Sequence, residues 1–172
     1  MFTLLKLLQS LVKTLHSDGT PTQIAAGVAL GAALGLTPIA NVHNVVIFVL
    51  LAVLNVSFGA GLFAWAAFIP VGFMLDPLFD SIGRRLLVDT PSLQVLWTSL
   101  DNTPGLALTN FSNTVVLGSV VAWAVVALPI FAVARVGVVR YRATVGERVR
   151  RSPLYQAITA SRAYNVYRWF EQ

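Results

Sequence analysis

PTQIAAGVALGAALGLTPIANVHNVVIFVLLAVLNVSFGAGLFAWAAFIPVGFML, residues 21–75, contains no Asp, Glu, Lys or Arg, and residues 103–134 contain none either. About 20 consecutive apolar residues cross a hydrocarbon core of about 30 Å as a helix, so each of these stretches is long enough for at least one crossing. The whole chain of 172 residues is 56% hydrophobic and 11% charged. Ordinary soluble domains run near 45–50% and about 25%, and a soluble fold of this size has no interior large enough for the surplus. The expectation is an all-α, polytopic helical membrane protein.

The first stretch is punctuated. Ser17 to Pro21 is a break, with Thr20 placed to cap a helix whose first residue is Pro21. That helix stops near Pro38, so it has about 16 residues and a length of roughly 24 Å, slightly short of a crossing. Asn41, His43 and Asn44 then interrupt the apolar run. From Val45 to Leu75 a single helix would be about 46 Å long, too long for one untilted span, and Asn55 to Gly61 is the expected breakpoint.

Outside the uncharged stretches, residues 1–18 form an amphipathic pattern. Leu4, Leu5, Leu7, Leu8, Leu11, Val12 and Leu15 lie on one arc, with Lys6, Gln9, Ser10, Lys13 and His16 on the other. This reads as an interfacial helix that is retained, with no short apolar core followed by a small-residue cleavage site. Residues 76–104 read as a short amphipathic segment opened by Asp76 and Pro77, then an external loop. Residues 105–134 read as a transmembrane helix and residues 135–172 as a basic cytoplasmic tail with interfacial helical character. Eight of the twelve positive residues lie in that tail, which the positive-inside rule places in the cytoplasm together with the N-terminus.

With both ends on one side and the 76–104 loop on the other, residues 20–75 cross an odd number of times. Either three short helices cross, making four membrane-embedded helices in all, or the early helices form a re-entrant hairpin followed by one full span. Re-entrant backbone at membrane depth needs cover from protein or a water-filled cavity, and in so short a chain that cover is expected from self-association or a partner.

Gly27, Gly31 and Gly35, four apart on the first buried helix, make a smooth face for close helix packing, within the monomer or between subunits. Asn41, His43, Asn44 and Asn55 are the candidates for a polar path. Gly72-Phe-Met-Leu-Asp76-Pro-Leu-Phe-Asp80 resembles half of the metal-binding motif of CDP-alcohol phosphotransferases, but the upstream Asp-Gly and Ala-Arg half has no counterpart. Asp76 therefore reads as a helix cap before Pro77, and Asp80 as an ion pair with Arg84 four residues on. Arg140, Arg142, Arg148, Arg150, Arg151 and Trp169 read as contacts to the head groups of an anionic leaflet.

No cysteine is present, so disulfides and thiolate chemistry are excluded. Two histidines are too few for a histidine-rich metal site. No phosphate loop, nucleophile elbow or zinc spacing occurs, and the formal charge of +5 comes without any nucleic-acid recognition module. No catalytic residue, metal or cofactor is expected.

Pro21, the Ala-x-x-Leu-Gly and Gly-x-x-Pro elements at Gly31, Gly35 and Pro38, then Asn55 and the bend near Pro70 resemble a domain-of-unknown-function family of small bacterial inner-membrane proteins. The resemblance spans roughly residues 20–90. Members often carry Asn-Pro at the second bend, where this chain has Ile69-Pro70. The resemblance implies a cell-envelope location and a packing pattern, with no established activity.

The leading expectation is a non-enzymatic inner-membrane subunit or scaffold, in contact with anionic lipids and packed as a homo-oligomer or against a larger envelope protein, with a link to lipid or envelope-component transport. The alternative is a small transporter or channel with its polar path near Asn41, His43, Asn44 and Asn55. A lipid-head-group enzyme ranks third.

Overall fold

A computed structural model describes residues 19–38, 41–103 and 105–144, and every regular element among them is helical. The amphipathic N-terminal segment and the tail beyond residue 144, including Arg148, Arg150, Arg151 and Trp169, lie outside the described residues. In order, α1 spans Pro21–Leu36, α2 Val42–Val53, α3 Phe58–Leu87, α4 Gln94–Asp101 and α5 Thr114–Thr144. Short 3-10 turns at Pro91–Leu93 and Leu106–Thr109 flank α4.

The start of α1 forms as its sequence predicts. Thr20 is the N-cap, its side chain accepts from the Gln23 backbone N–H, and the Gln23 side chain returns the bond to the Thr20 N–H at 2.7 Å. This reciprocal box satisfies two donors that a helix start leaves open, with Pro21 where no donor is needed. Ten of the sixteen residues of α1 are buried, because α1 lies between α3 and α5.

The order of contacts fixes the directions. Gly27, Gly31 and Gly35 meet Ser57, Gly61 and Trp65 in turn, so α1 and α3 run parallel. Parallel neighbours need a return path, and α2 supplies it: the Ser57 N–H donates to the Gln23 carbonyl at 3.0 Å, which brings the chain back to the base of α1. Helices α1 and α2 are therefore a hairpin. Its tip lies level with Gly72, since a Cβ built on Gly72 stands 2.6 Å from the Gly35 carbonyl oxygen, and Gly72 is half-way along α3. Helix α5 runs antiparallel to both, with Gly118 against Phe79, Trp123 against Ala29 and Arg142 against Gly19.

Helices α3 and α5 have 30 and 31 residues and are long and apolar enough to cross a membrane. At 12 and 16 residues, α2 and α1 are not, at about 18 and 24 Å. Two long helices are thus accompanied by a short pair that reaches half-way along α3.

Two expected boundaries are corrected. The chain does not break at Asp76-Pro77, and α3 continues through both Pro70 and Pro77 to Leu87. Asp76 is therefore a mid-helix residue and not a cap. An interior proline ordinarily removes one hydrogen bond and costs about 3 kcal/mol. Here α3 is gripped on both sides of Pro77, by α1 at Gly72 and by α5 at Phe79 and Gly83. The last helix likewise does not end at Ala134. It runs past Pro129 and Arg135 to Thr144, with Val138 buried beside Ile24 and Ala60. The break expected within Asn55 to Gly61 is present, as the turn between Val53 and Phe58.

The 76–104 segment is also more ordered than a loop. Helix α4 docks on the end of α3, where the Gln94 amide donates to the Leu87 carbonyl at 2.6 Å and the Trp97 indole to the Leu86 carbonyl at 2.8 Å. These bonds occupy carbonyls that a helix C-terminus leaves without partners.

Candidate functional site

The polar side chains of the first apolar stretch separate into two groups at opposite ends of the α1–α2 hairpin. At the tip, α1 ends at Leu36 and Pro38 prevents its continuation. Thr37, Asn41 and Asn44 are all buried there, each no more than 6% exposed. The Thr37 hydroxyl is shared between the Ala33 carbonyl at 2.8 Å and the Asn44 Oδ1 at 2.5 Å. The amides of Asn44 and Asn41 both donate to the Pro38 carbonyl, at 2.6 and 2.8 Å. The side chains thus replace the backbone bonds missing at the turn, as buried polar groups must.

His43 sits in the first turn of α2, half-buried, beside the Thr109 backbone of the second 3-10 turn. Its Nε2 is buried without a hydrogen-bond partner among the described residues, as is the Asn41 Oδ1. On α3 the Trp65 indole N–H is also buried without a partner among them, with Phe48 of α2 edge-on to its ring at 6.1 Å. Within the chain, α2 is contacted by α1, α3 and the second 3-10 turn.

Asn55 belongs to the other group. It lies at the base of the hairpin and its Oδ1 accepts from the Gln23 side-chain amide at 2.7 Å, on the exposed side. The structure brings Asn41, His43 and Asn44 together and leaves Asn55 a full helix away.

The three glycines of α1 are used inside the chain. A Cβ on Gly27 or Gly31 would overlap the carbonyl of Ser57 or Gly61, and one on Gly35 would stand 2.7 Å from the Trp65 carbonyl oxygen. Sequence reasoning missed their partners. Gly61, Gly72 and Gly83 are eleven apart on α3, and eleven residues are three helical turns, so that spacing could have revealed a second smooth face. Gly83 and Gly118 do for α3 and α5 what the earlier glycines do for α1 and α3.

Asp80 and Arg84 form the expected i,i+4 pair at 3.9 Å, mostly exposed. The closer partner of Asp80 is the Thr114 hydroxyl at the start of α5, a contact without a local sequence signal. That start is capped by Asn113, whose Oδ1 accepts from the N–H groups of Val115 and Val116.

Of the residues assigned to lipid head groups, Arg140 is exposed at the end of α5. Arg142 is partly buried and donates to the Gly19 carbonyl at 2.8 Å, tying the end of α5 to the start of α1. No group of three or more His, Cys, Asp or Glu residues able to hold a metal occurs among the described residues.

A family model described as "Uncharacterized protein conserved in bacteria (DUF2062)" matches residues 6–145. The chain is also 30% identical over 152 residues to an "Uncharacterized protein" of Treponema pallidum (strain Nichols), covering 88% of this chain and 93% of the relative. No solved structure matches.

Proposed function

The chain belongs to the DUF2062 family of bacterial proteins, and we propose that it is a non-enzymatic membrane subunit or scaffold, embedded in the inner membrane by two spans and a re-entrant hairpin. The observation that carries this reading is the exposure of its two long apolar helices. In the most apolar windows of α3 and α5 only 22% and 17% of residues are buried. A core helix of a soluble protein hides its apolar surface, whereas these helices turn it outward, which is stable only against lipid or another apolar surface. Gly19 and Thr144 lie at the same end of the bundle, and the arginines there favour the cytoplasmic side.

The face available to a partner is that of α2. The glycine face of α1 is occupied by α3, so intersubunit packing through Gly31 is replaced by packing through Val42, Val45, Val46, Val49 and Val53, all at least 40% exposed. Single-cysteine variants at Val46 and Val53 test it, since the natural chain has no cysteine. Disulfide or bifunctional crosslinking in native membranes is expected to join α2 to a second copy or to an envelope protein. Only uncrosslinked monomer, with nothing co-purifying in mild detergent, would sink the reading.

A second reading, a small transporter or channel, is supported by the gathering of Asn41, His43 and Asn44 at one buried tip. Flux through liposomes that is lost on His43→Ala would favour it over the scaffold.

A further inference from the structure

Val138 is buried beside Ile24 and Ala60 and so marks the inner face of the last turns of α5. At about 100° per residue, Ala132, Val133, Val136, Gly137 and Arg140 fall on the opposite face, turned away from the bundle. These five line a shallow groove of about 410 Å³, apolar except for Arg140. A Cβ built on Gly137 meets nothing within 4 Å, whereas at Gly83 and Gly118 the missing Cβ is what lets backbone approach backbone. Glycine inside a helix is less favourable than alanine, and no packing within the described residues offsets that at Gly137. Its structural effect is a notch in the outer surface of α5.

The groove is graded along its length. Val138 is level with Ala60, near the start of α3, and Arg140 is half a turn nearer the base of the bundle. Because α3 has no charged residue from Phe58 to Leu75, the apolar part of the groove lies beside the apolar part of the bundle and Arg140 lies at its edge. Arg140 is exposed, and its guanidinium makes no hydrogen bond or ion pair among the described residues. From Arg135 onward the sequence holds eight arginines against two glutamates, so an anion is the complement of this end. A soluble anion would leave Val133 and Val136 uncovered. A second copy packed through the same face about a two-fold axis along the membrane normal would set Arg140 against Arg140.

We propose that this groove binds one anionic phospholipid of the cytoplasmic leaflet, with its phosphate on the Arg140 guanidinium and an acyl chain along Ala132, Val133, Val136 and Gly137. Guanidinium matches phosphate through paired hydrogen bonds, and the cytoplasmic leaflet is the anionic one. The inference rests on the membrane reading given above.

Native mass spectrometry of the full chain, released from nanodiscs of equal parts phosphatidylglycerol and phosphatidylethanolamine, tests it. Phosphatidylglycerol is expected to be retained in preference. Arg140→Gln should lower that retention about fivefold, the factor equivalent to about 1 kcal/mol for one arginine at an anionic surface. Gly137→Leu, which fills the notch, should lower it as well. Arg135→Gln, an exposed arginine outside the groove, should leave it unchanged. Thermal unfolding of each variant checks that it remains folded. Equal retention of the two lipids, retention that survives Arg140→Gln, or an equal loss in Arg135→Gln overturns the site. Displacement of the lipid by excess inorganic phosphate overturns the part given to the groove. Extraction of the wild-type chain from membranes by alkaline carbonate removes the membrane reading itself, whereas a chain that resists carbonate and shows no lipid preference removes only this site.

Discussion

Gly31 of α1 and Gly61 of α3 pack backbone to backbone: a Cβ on Gly31 would overlap the Gly61 carbonyl. Gly118 of α5 stands in the same relation to the Phe79 carbonyl of α3. These contacts bring the backbones of the three helices close enough for dispersion to act directly between them. Gly137, also on α5, has nothing within 4 Å of a built Cβ. Alanine substitutions should therefore change sign with position. Gly31→Ala and Gly118→Ala are expected to destabilise by about 1–3 kcal/mol through overpacking against backbone. Gly137→Ala should be neutral or stabilise by up to about 1 kcal/mol through helix propensity. Thermal unfolding in one detergent distinguishes the three, and equal effects at all of them would contradict the packing described.

Asp80 has two partners of unequal weight. Its contact with Arg84 is long and mostly exposed, whereas the Thr114 hydroxyl joins α3 to the start of α5. Thr114→Val is expected to cost about 1.5–3 kcal/mol, the range for a hydrogen bond to a charged group. Arg84→Gln should cost less than about 1 kcal/mol, as exposed pairs do. A double-mutant cycle between Asp80 and each partner measures both couplings.

The Trp123 indole donates to the Ala29 carbonyl at 3.0 Å, across the contact of α5 with α1. Trp123→Phe keeps an aromatic ring there and removes the donor. Its expected cost is about 0.5–1.5 kcal/mol. Chemical denaturation in detergent reads that loss, and a gain in stability would show that the bond contributes nothing.

Val95 on α4 and Thr144 at the end of α5 lie at opposite ends of the long helices and are both exposed. Single cysteines at these positions should be labelled by an impermeant maleimide from opposite sides of the membrane, with Thr144 reached only from the cytoplasmic side. Labelling of both from one side would refute two spans.

Much of the local structure was legible in the sequence because its causes are local. Thr20, Pro21 and Gln23 set the start of α1 by capping chemistry, Pro38 stops it, and the polar break after Val53 separates α2 from α3. The tip residues Asn41, His43 and Asn44 were legible as an interruption in an apolar run. Asn55 was not separable from them by composition, since its place at the hairpin base is set by Gln23, 32 residues away. Asp76-Pro77 misled for a related reason. Taken alone the pair is a helix start, and only the grip of α1 and α5 on Gly72, Phe79 and Gly83 carries α3 through it.

By itself, then, the sequence determined a helical chain rich in apolar surface, with helix starts and stops written in caps, prolines and polar breaks. Those are properties of a few adjacent residues and of composition. The tertiary structure alone decided which small faces meet, that the glycines of α1 are consumed by α3, that the early pair is a half-length hairpin, and that Thr37, Asn41 and Asn44 are buried together at its tip. Each of these depends on backbone atoms far apart in the chain coming within van der Waals distance, and no local pattern encodes the distance between two helices.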